Sequence, residues 1–217
     1  MLLVTDVLSA EDLARVRQGL GDAMFTDGRR TARGRAREVK ANTQARGEAV
    51  APLAAFIRSA LDRHALVQAY ARPVRWSGVL FNRYRAGDRY GLHMDDPLMG
   101  EGEYRLRTDL SFTLFLSDPA SYEGGELVLD GPDGEREVKP AAGSLLLYET
   151  GVLHRVAEVT SGERLAAVGW IQSEVRRADQ REVLFDLARV RTGISDGEAA
   201  LLLDKSIGNL VRQWAEV

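Results

Sequence analysis

Three residues of this chain have the types and the spacing to bind one metal ion. His93 and Asp95 lie two positions apart, and side chains two apart in a strand project from the same face. The chain has three histidines, and His64 lies at the end of a helical pattern, which leaves His154 on a later strand as the predicted third ligand. Two imidazoles and one carboxylate suit non-haem Fe(II) and leave coordination positions open.

Arg164 lies where a positive charge is costly. It follows the turn signal Thr160-Ser-Gly-Glu163 and begins the apolar run 165–171. A buried guanidinium needs an anion, so this position predicts an anion-binding role. The His-x-Asp pair alone is a weak signal, since a strand histidine hydrogen-bonded to Asp95 would give the same pattern.

Asp96 is the competing carboxylate, because it directly follows Asp95. By strand parity it points away from His93, so Asp95 is the predicted ligand. We expect Asp96 to face solvent or to anchor the following loop.

The arrangement of His93, Asp95, His154 and Arg164 resembles the Fe(II)- and 2-oxoglutarate-dependent dioxygenases of the prolyl-4-hydroxylase-like class. Further segments resemble the bacterial PKHD-type hydroxylases. These segments are Phe81-Asn-Arg-Tyr84, 107–119, Gly124-Gly-Glu-Leu127, 143–148 and Trp170-Ile-Gln-Ser173. The resemblance extends to Trp214-Ala-Glu-Val217 and so covers nearly the whole chain.

This resemblance implies an Fe(II) ion held by His93, Asp95 and His154, with 2-oxoglutarate as cosubstrate. Arg164 and the hydroxyl of Tyr84 would bind the distal carboxylate of 2-oxoglutarate. The implied reaction hydroxylates a C–H bond with dioxygen while 2-oxoglutarate is converted to succinate and CO2, and L-ascorbate is the implied reductant. No separate general base is needed, so no catalytic residue is predicted beyond the metal centre.

Four aromatic or polar residues near these motifs have open roles. Tyr84 could instead be a half-buried strand aromatic. Tyr90 and Asn82 are weaker candidates for lining the cosubstrate or substrate space. Trp170 could form a wall of the cavity or belong to the core.

Hydrophobic patterning predicts strands in the middle of the chain and helices around them, and the resemblance makes the fold specific. Predicted strands are 2–8, 78–84, 109–116, 126–129, 144–148, 152–159 and 164–171, and predicted helices are 50–66, 175–190, 195–214 and one opened by Ser9-Ala-Glu-Asp12. Short strands without intervening helices favour a sandwich or barrel. The resemblance implies a mainly β fold with flanking helices, a double-stranded β-helix (jelly roll).

The expected organisation is one compact unit in three parts. These are an N-terminal strand and helical scaffold (1–76), the dioxygenase core (77–174) and a C-terminal helical extension (175–217). The C-terminal helices could cover the barrel or form a dimer contact, so a homo-oligomer stays open.

Residues 28–47 have an unusual composition, with six arginines and one lysine among glycine, alanine and threonine. With little apolar periodicity, this composition predicts a mobile loop. It could be a lid or docking strip for an acidic substrate or partner, or a solvated, poorly ordered segment. Residues 97–107, rich in glycine and charge, predict a loop over the metal side of the cavity.

The overall composition is that of an ordinary globular protein. Of 217 residues, 45% are hydrophobic and 28% charged, and the net charge of −3 gives no reason to expect nucleic-acid or membrane binding. The lack of cysteine excludes disulfides and thiolate chemistry. The first residues lack signal-peptide features and no window reaches membrane-spanning length, so we expect a cytoplasmic protein.

Two other classes of function compete with the dioxygenase. A cupin-like, non-oxidative metal protein (an isomerase, a hydrolase or a ligand-binding module) would use the same three ligands but would need no buried Arg164. A non-catalytic interaction module would more often have lost a ligand. The sequence does not identify the substrate, which could be a small molecule or a peptide.

Overall fold

The computed structural model describes residues 1–21 and 23–216. Within them the α-helices are α1 (Ala10–Gly21), α2 (Gly34–Glu38), α3 (Ala51–Arg63), α4 (Ala65–Ala71), α5 (Ala178–Thr192) and α6 (Gly197–Trp214). The strands are β1 (Leu2–Val4), β2 (Thr26–Asp27), β3 (Lys40–Ala41), β4 (Thr43–Ala45), β5 (Pro73–Trp76), β6 (Leu80–Arg85), β7 (Arg89–His93), β8 (Leu98–Met99), β9 (Leu106–Arg107), β10 (Leu110–Phe115), β11 (Tyr122–Gly124), β12 (Leu127–Gly131), β13 (Gly134–Val138), β14 (Leu145–Glu149), β15 (Leu153–Val156) and β16 (Val159–Ser173).

Two antiparallel sheets form the jelly-roll core. The larger sheet has the order β1-β14-β10-β16-β6-β4-β2, with β5 and β11 also paired to β16. The smaller sheet has the order β13-β12-β15-β7-β3. The apolar cluster formed by Tyr84, Phe115, Leu127, Leu146 and Val156 joins residues of both sheets, so the sheets face each other. The predicted class, mainly β with flanking helices, is confirmed.

Strand alternation decides which side chains of the larger sheet face the smaller one. Strand β10 is buried along its whole length, because Phe112 and Leu114 pack in the helix-side cluster with α1, α3 and α4, while Phe115 packs in the inter-sheet cluster. Alternate residues point to opposite faces. The same alternation in β16 directs Ala167 to the helices and turns Arg164 toward the other sheet.

The predicted capping box at the first helix is present. The Ser9 hydroxyl accepts a hydrogen bond from the Asp12 backbone N–H at 3.1 Å, and the Asp12 carboxylate accepts one from the Ser9 backbone N–H at 3.2 Å. This reciprocal pair satisfies two donors that the first turn leaves without intrahelical partners. Helix α1 then buries Leu13, Val16 and Leu20 against the sheet.

The prediction of a mobile loop at 28–47 is wrong in its secondary structure. This segment contains a short 3-10 helix (Gly28–Thr31), α2, β3 and β4. Strand β4 pairs with β6 of the larger sheet, and β3 pairs with β7 of the smaller one. The alternate residues Lys40, Asn42 and Gln44 are buried although they are polar, which is why a search for apolar periodicity missed the strands.

The C-terminal helices contact the chain's own helical layer. The Phe185 ring of α5 packs edge-on against Tyr70 of α4, with ring centroids 5.3 Å apart, and Leu184 is fully buried. The division of the chain at 76/77 and 174/175 stays a prediction. None of the helices in the described residues combines the length and apolar character needed to cross a membrane.

Candidate metal centre and cosubstrate pocket

The three predicted metal ligands meet between the two sheets. His154 of β15 and His93 at the end of β7 are cross-strand partners, and their ring centroids lie 4.3 Å apart. The Asp95 carboxylate lies 3.9 Å from His93 Nε2 and 3.7 Å from His154 Nε2. One ligand atom from each of the three residues falls within 4.8 Å of the others. One metal ion could therefore contact all three.

Backbone carbonyls fix the orientation of both imidazole rings. His93 Nδ1 lies 2.8 Å from the Gly91 carbonyl oxygen, and His154 Nδ1 lies 3.0 Å from the Val152 carbonyl oxygen. A carbonyl can only accept, so each Nδ1 carries the proton and each Nε2 presents a lone pair to the site. Burial, with His154 nearby, lowers the pKa of His93 from 6.5 to about 4. His93 is therefore neutral, as a metal ligand must be.

Two donors from the larger sheet fix the Asp95 carboxylate. The Ser111 hydroxyl and the Trp170 indole N–H each donate to Asp95 Oδ2 at 2.9 Å. Among the described residues no donor reaches Oδ1, which faces His93 Nε2. The site thus presents two imidazole Nε2 atoms and a carboxylate oxygen with no hydrogen bond between them. A divalent cation fits this set of acceptors.

The geometry corrects one step of the sequence argument. Strand β7 ends at His93, so Asp95 lies in the irregular segment that follows, and the two residues do not share a strand face. Asp96 is exposed, as predicted, and its carbonyl accepts a hydrogen bond from the Thr108 hydroxyl at 2.6 Å. The structure thus places Asp95, and not Asp96, beside the two histidines, as expected. The reason is the path of the chain after β7 and not the alternation of side chains in a strand.

Arg164 and Tyr84 form the inner end of the same cavity. They are direct cross-strand partners in β16 and β6, each is 2% exposed, and the guanidinium carbon lies 5.2 Å from the Tyr84 ring centroid. Arg164 Nε is buried without a hydrogen-bond partner, and no described carboxylate forms an ion pair with it. Burial raises the pKa of Tyr84 to about 12, so its hydroxyl keeps its proton.

A tight turn leaves room for the Arg164 side chain. Gly124 and Gly125 have φ angles of 69° and 68°, in the left-handed region that glycine adopts without strain. A Cβ atom on Gly125 would lie 3.1 Å from Arg164 Cδ. The Gly-Gly motif therefore serves both the turn into β12 and the space beside the guanidinium.

The cavity that joins these groups has a volume of about 750 Å³, including its open mouth. The weaker sequence candidates Tyr90 and Asn82 both line it, and the Tyr90 ring stacks on His93 at a centroid distance of 3.5 Å. Trp170 lines it too, which settles its open role in favour of the cavity wall. His64 is not among its lining residues.

Lys40 is a site residue that the sequence argument missed. Its ammonium donates to the Thr31 hydroxyl at 3.1 Å and lies 4.7 Å from the Tyr90 ring centroid. The side chain lines the cavity and the residue is 7% exposed. Burial lowers the pKa of Lys40 from 10.5 to about 8. The spacing of Lys40, Asn42 and Gln44 at the strand period was the signal that could have found it.

A chain of amide and hydroxyl groups connects Lys40 to the inner cavity. Thr31 donates to the Gln44 side-chain oxygen, Gln44 Nε2 donates to Asn82 Oδ1 at 2.5 Å, and Asn42 donates to the same oxygen at 3.1 Å. The basic segment is thus tied to β6, two residues from Tyr84.

Comparison with known proteins agrees with this geometry. Residues 79–172 match the sequence model of the 2OG-Fe(II) oxygenase superfamily. A PKHD-type hydroxylase from Maricaulis maris is 51% identical over 216 residues, covering 97% of this chain and 96% of the relative. A second PKHD-type hydroxylase, from Hyphomonas neptunium, is 43% identical over 224 residues and covers both chains fully.

A solved structure shows the same fold at low sequence identity. It is a prolyl hydroxylase from Trichoplax adhaerens in complex with a peptide fragment of hypoxia inducible factor, with a TM-score of 0.57 and 19% identity over 80% of this chain and 83% of that one. Family membership favours the dioxygenase over the cupin-like and non-catalytic alternatives. The chain belongs to the PKHD-type hydroxylases, a family of Fe(II)- and 2-oxoglutarate-dependent dioxygenases.

Proposed function

We propose that His93, Asp95 and His154 bind one Fe(II) ion and that Arg164 binds the distal carboxylate of 2-oxoglutarate. The observation that carries this proposal is the buried Arg164 guanidinium without a described carboxylate partner, in the same cavity as the three ligands. A dicarboxylate would supply the missing anion. The Tyr84 hydroxyl, which stays protonated, would donate a further hydrogen bond to it.

When bound, Fe(II) would activate dioxygen, the oxidant; 2-oxoglutarate would supply two electrons as it is converted to succinate and CO2, and the substrate C–H bond the other two as it is hydroxylated. The chain's own residues hold the components in place. Ser111 and Trp170 orient the Asp95 carboxylate, and the carbonyls of Gly91 and Val152 orient the imidazoles. Such outer partners typically change metal affinity or activity by about 10- to 100-fold.

Other cavity residues would exclude water and position the substrate. Leu127, Val156 and Val168 give the inner cavity an apolar wall, and Tyr90 covers one face of His93. An apolar wall strengthens the ion pair between Arg164 and a carboxylate, because a low local dielectric screens it less. No general base is invoked, and the substrate carbon would enter from the open mouth.

The substrate is a small molecule or a peptide, the two classes that the family implies. Ascorbate is proposed as the reductant that restores Fe(II) after unproductive turnover, on the basis of the family resemblance. The cosubstrate 2-oxoglutarate would be converted to succinate and CO2, so turnover can be followed by measuring succinate even when the substrate is not known.

The test is an anaerobic titration of the Fe(II)-loaded protein with 2-oxoglutarate, following the visible metal-to-ligand charge-transfer band. The band should appear, and admitting oxygen should then yield succinate. His154→Ala should abolish Fe(II) binding, while the matched variant His64→Ala should retain it, because His64 lies outside the cavity. Fe(II) binding without a band in the parent protein would contradict the 2-oxoglutarate pocket, and Fe(II) binding by His154→Ala would contradict the ligand set.

A further inference from the structure

The cavity of the proposed metal centre adjoins a groove on the protein surface. The groove is lined by residues of the basic segment 28–47, of the segment 96–100 that contains β8, and of the loop before β6 with the first residue of β6. Residues that line both the cavity and the groove are Thr31, Arg33, Asp96, Met99 and Trp170. The two depressions are therefore neighbours, and a ligand long enough to occupy both would contact the metal centre and the surface groove.

The charges along this groove have mainly one sign. Arg30, Arg33 and Arg46 line it, and Asp96 is the single acidic residue among its described lining residues. None of the three arginines forms an ion pair with a described carboxylate. Arg29, in the same segment but outside the groove, is paired with Asp27 at 2.6 Å. The groove thus keeps exposed guanidinium groups available to a ligand.

Lys40 adds a positive charge inside the cavity, next to the arginines of the groove. It lines the cavity, is buried, and is bonded to the neutral hydroxyl of Thr31. No described carboxylate forms an ion pair with its ammonium. A buried cation without a counterion destabilises a fold. An anionic ligand bound next to Lys40 would therefore stabilise the protein.

The positive charge of segment 28–47 contrasts with the negative net charge of the whole chain. Segment 28–47 has six arginines and one lysine against one glutamate, a net charge of +6, whereas the full chain has a net charge of −3. An acidic protein repels anions except where a local field attracts them. The basic segment therefore directs anions specifically to the mouth of the active-site cavity.

We propose that the substrate is an acidic peptide segment, held by Arg30, Arg33 and Arg46 in the groove while the residue to be hydroxylated enters the cavity beside Lys40. This inference rests on the proposed function of the cavity. A small molecule that fits inside the cavity would not reach the surface arginines, whereas an extended chain would. The overall negative charge and the apolar groove residues Leu80 and Leu98 favour a peptide over a nucleic acid, for which a basic domain is expected.

The experiment uses a short fluorescein-labelled peptide of alternating glutamate and alanine, with its lysine–alanine counterpart and labelled oligothymidylate for comparison. Binding to the anaerobic protein loaded with Fe(II) and 2-oxoglutarate is followed by fluorescence anisotropy at low salt. The glutamate peptide should bind, its affinity should fall as salt is added, and the lysine peptide should not bind. Equal binding of the two peptides, or tighter binding of oligothymidylate, would overturn the proposal.

Two double variants that remove the same amount of charge test whether the peptide binds in the groove. Arg33→Gln/Arg46→Gln removes two groove arginines, and Arg35→Gln/Arg37→Gln removes two exposed arginines of α2 that lie outside the groove. The groove variant should bind the glutamate peptide about fivefold more weakly, the scale for two exposed charge pairs, and the control should stay within about twofold. Equal losses in the two variants would refute a groove-specific site.

The 2-oxoglutarate titration separates this inference from the proposed function. Both double variants should form the charge-transfer band at the same 2-oxoglutarate concentration as the parent, since neither touches Arg164. If the band forms normally and the glutamate peptide does not bind, only the acidic-peptide proposal fails. If the parent protein forms no band, the proposed function fails irrespective of the peptide result.

Discussion

Arg164 and Arg181 are buried to the same extent, each 2% exposed, but their guanidinium groups are satisfied in opposite ways. Arg181 Nη1 donates to the carbonyls of Val175 and Arg176, both at 2.7 Å, and its Nη2 is paired with the Glu149 carboxylate. Arg164 Nε has no partner. Arg181 therefore stabilises the junction between the sheet and α5, while Arg164 retains hydrogen-bonding capacity for a ligand.

Substituting methionine for each arginine should separate these two roles. Arg164→Met should weaken 2-oxoglutarate binding by about 2 to 3 kcal/mol, the scale for losing a hydrogen bond to a charged group, without lowering the free energy of unfolding. Arg181→Met should lower the free energy of unfolding by about 3 kcal/mol without changing 2-oxoglutarate affinity. Anaerobic titration and urea unfolding measure the two quantities. Unchanged 2-oxoglutarate affinity in Arg164→Met would remove this residue from the pocket.

Asparagine variants of the two adjacent aspartates should identify the metal ligand. Asp95→Asn keeps the side-chain shape but removes the charge, and we expect Fe(II) affinity to fall by at least about 100-fold, the upper range for changes to outer partners. Asp96→Asn should bind Fe(II) like the parent, because Asp96 is exposed and only its backbone carbonyl has a described bond. Competition with a chromogenic chelator provides the affinities. A larger loss in Asp96→Asn would reverse the assignment.

The parts of the fold that follow strand alternation could be predicted from the sequence. The strands β6, β10, β14 and β16 lie in short apolar or alternating runs bounded by Gly, Pro and Asp turn signals, so their positions could be predicted, and Arg164 at the head of such a run indicated a buried charge. The capping box at Ser9 could be predicted too, because its two hydrogen bonds join residues only three positions apart. Local rules suffice when the stabilising contacts are local.

The parts that depend on contacts between distant segments could not be predicted. Trp170 and Ser111 bond to Asp95 across 75 and 16 positions, and no local pattern marks them as partners. The strands β3 and β4 were missed because Lys40 and Gln44 are buried among polar groups instead of apolar ones. Tertiary hydrogen bonds here override the usual association of burial with hydrophobicity.

The bond from Trp170 to Asp95 should contribute to metal affinity. Trp170→Phe removes the indole N–H but keeps an aromatic ring, so one of the two donors to Asp95 Oδ2 is lost. We expect Fe(II) affinity to fall by about tenfold, at the lower end for outer partners of a metal site.

The matched control for this substitution is Trp76→Phe. Trp76 packs edge-on against Phe112 at a centroid distance of 5.9 Å and does not line the cavity. It should lower stability without changing Fe(II) affinity. If the two variants bind Fe(II) equally well, the indole donor has no role at the metal centre.

Lys40 should make the stability of the metal-free protein depend on pH in the alkaline range. Its pKa is about 8 in the folded chain against an ordinary 10.5, so between these values the unfolded chain binds more protons. Stability then rises with pH through this window. At pH 7 the ammonium is charged in both states and the full penalty of burial applies, about 3 kcal/mol for a shift of this size.

Lys40→Met removes that penalty, and the variant should therefore be more stable than the parent at pH 7 and lose its advantage as the pH approaches 10.5. Urea unfolding of both proteins across this range measures the difference, with Lys205→Met on the exposed surface of α6 reporting the effect of the substitution itself. A stability difference that stays constant with pH would mean that the ammonium is not desolvated in the fold. The same variant should bind the glutamate peptide more weakly, because the cation that destabilises the fold is the one we place beside the substrate.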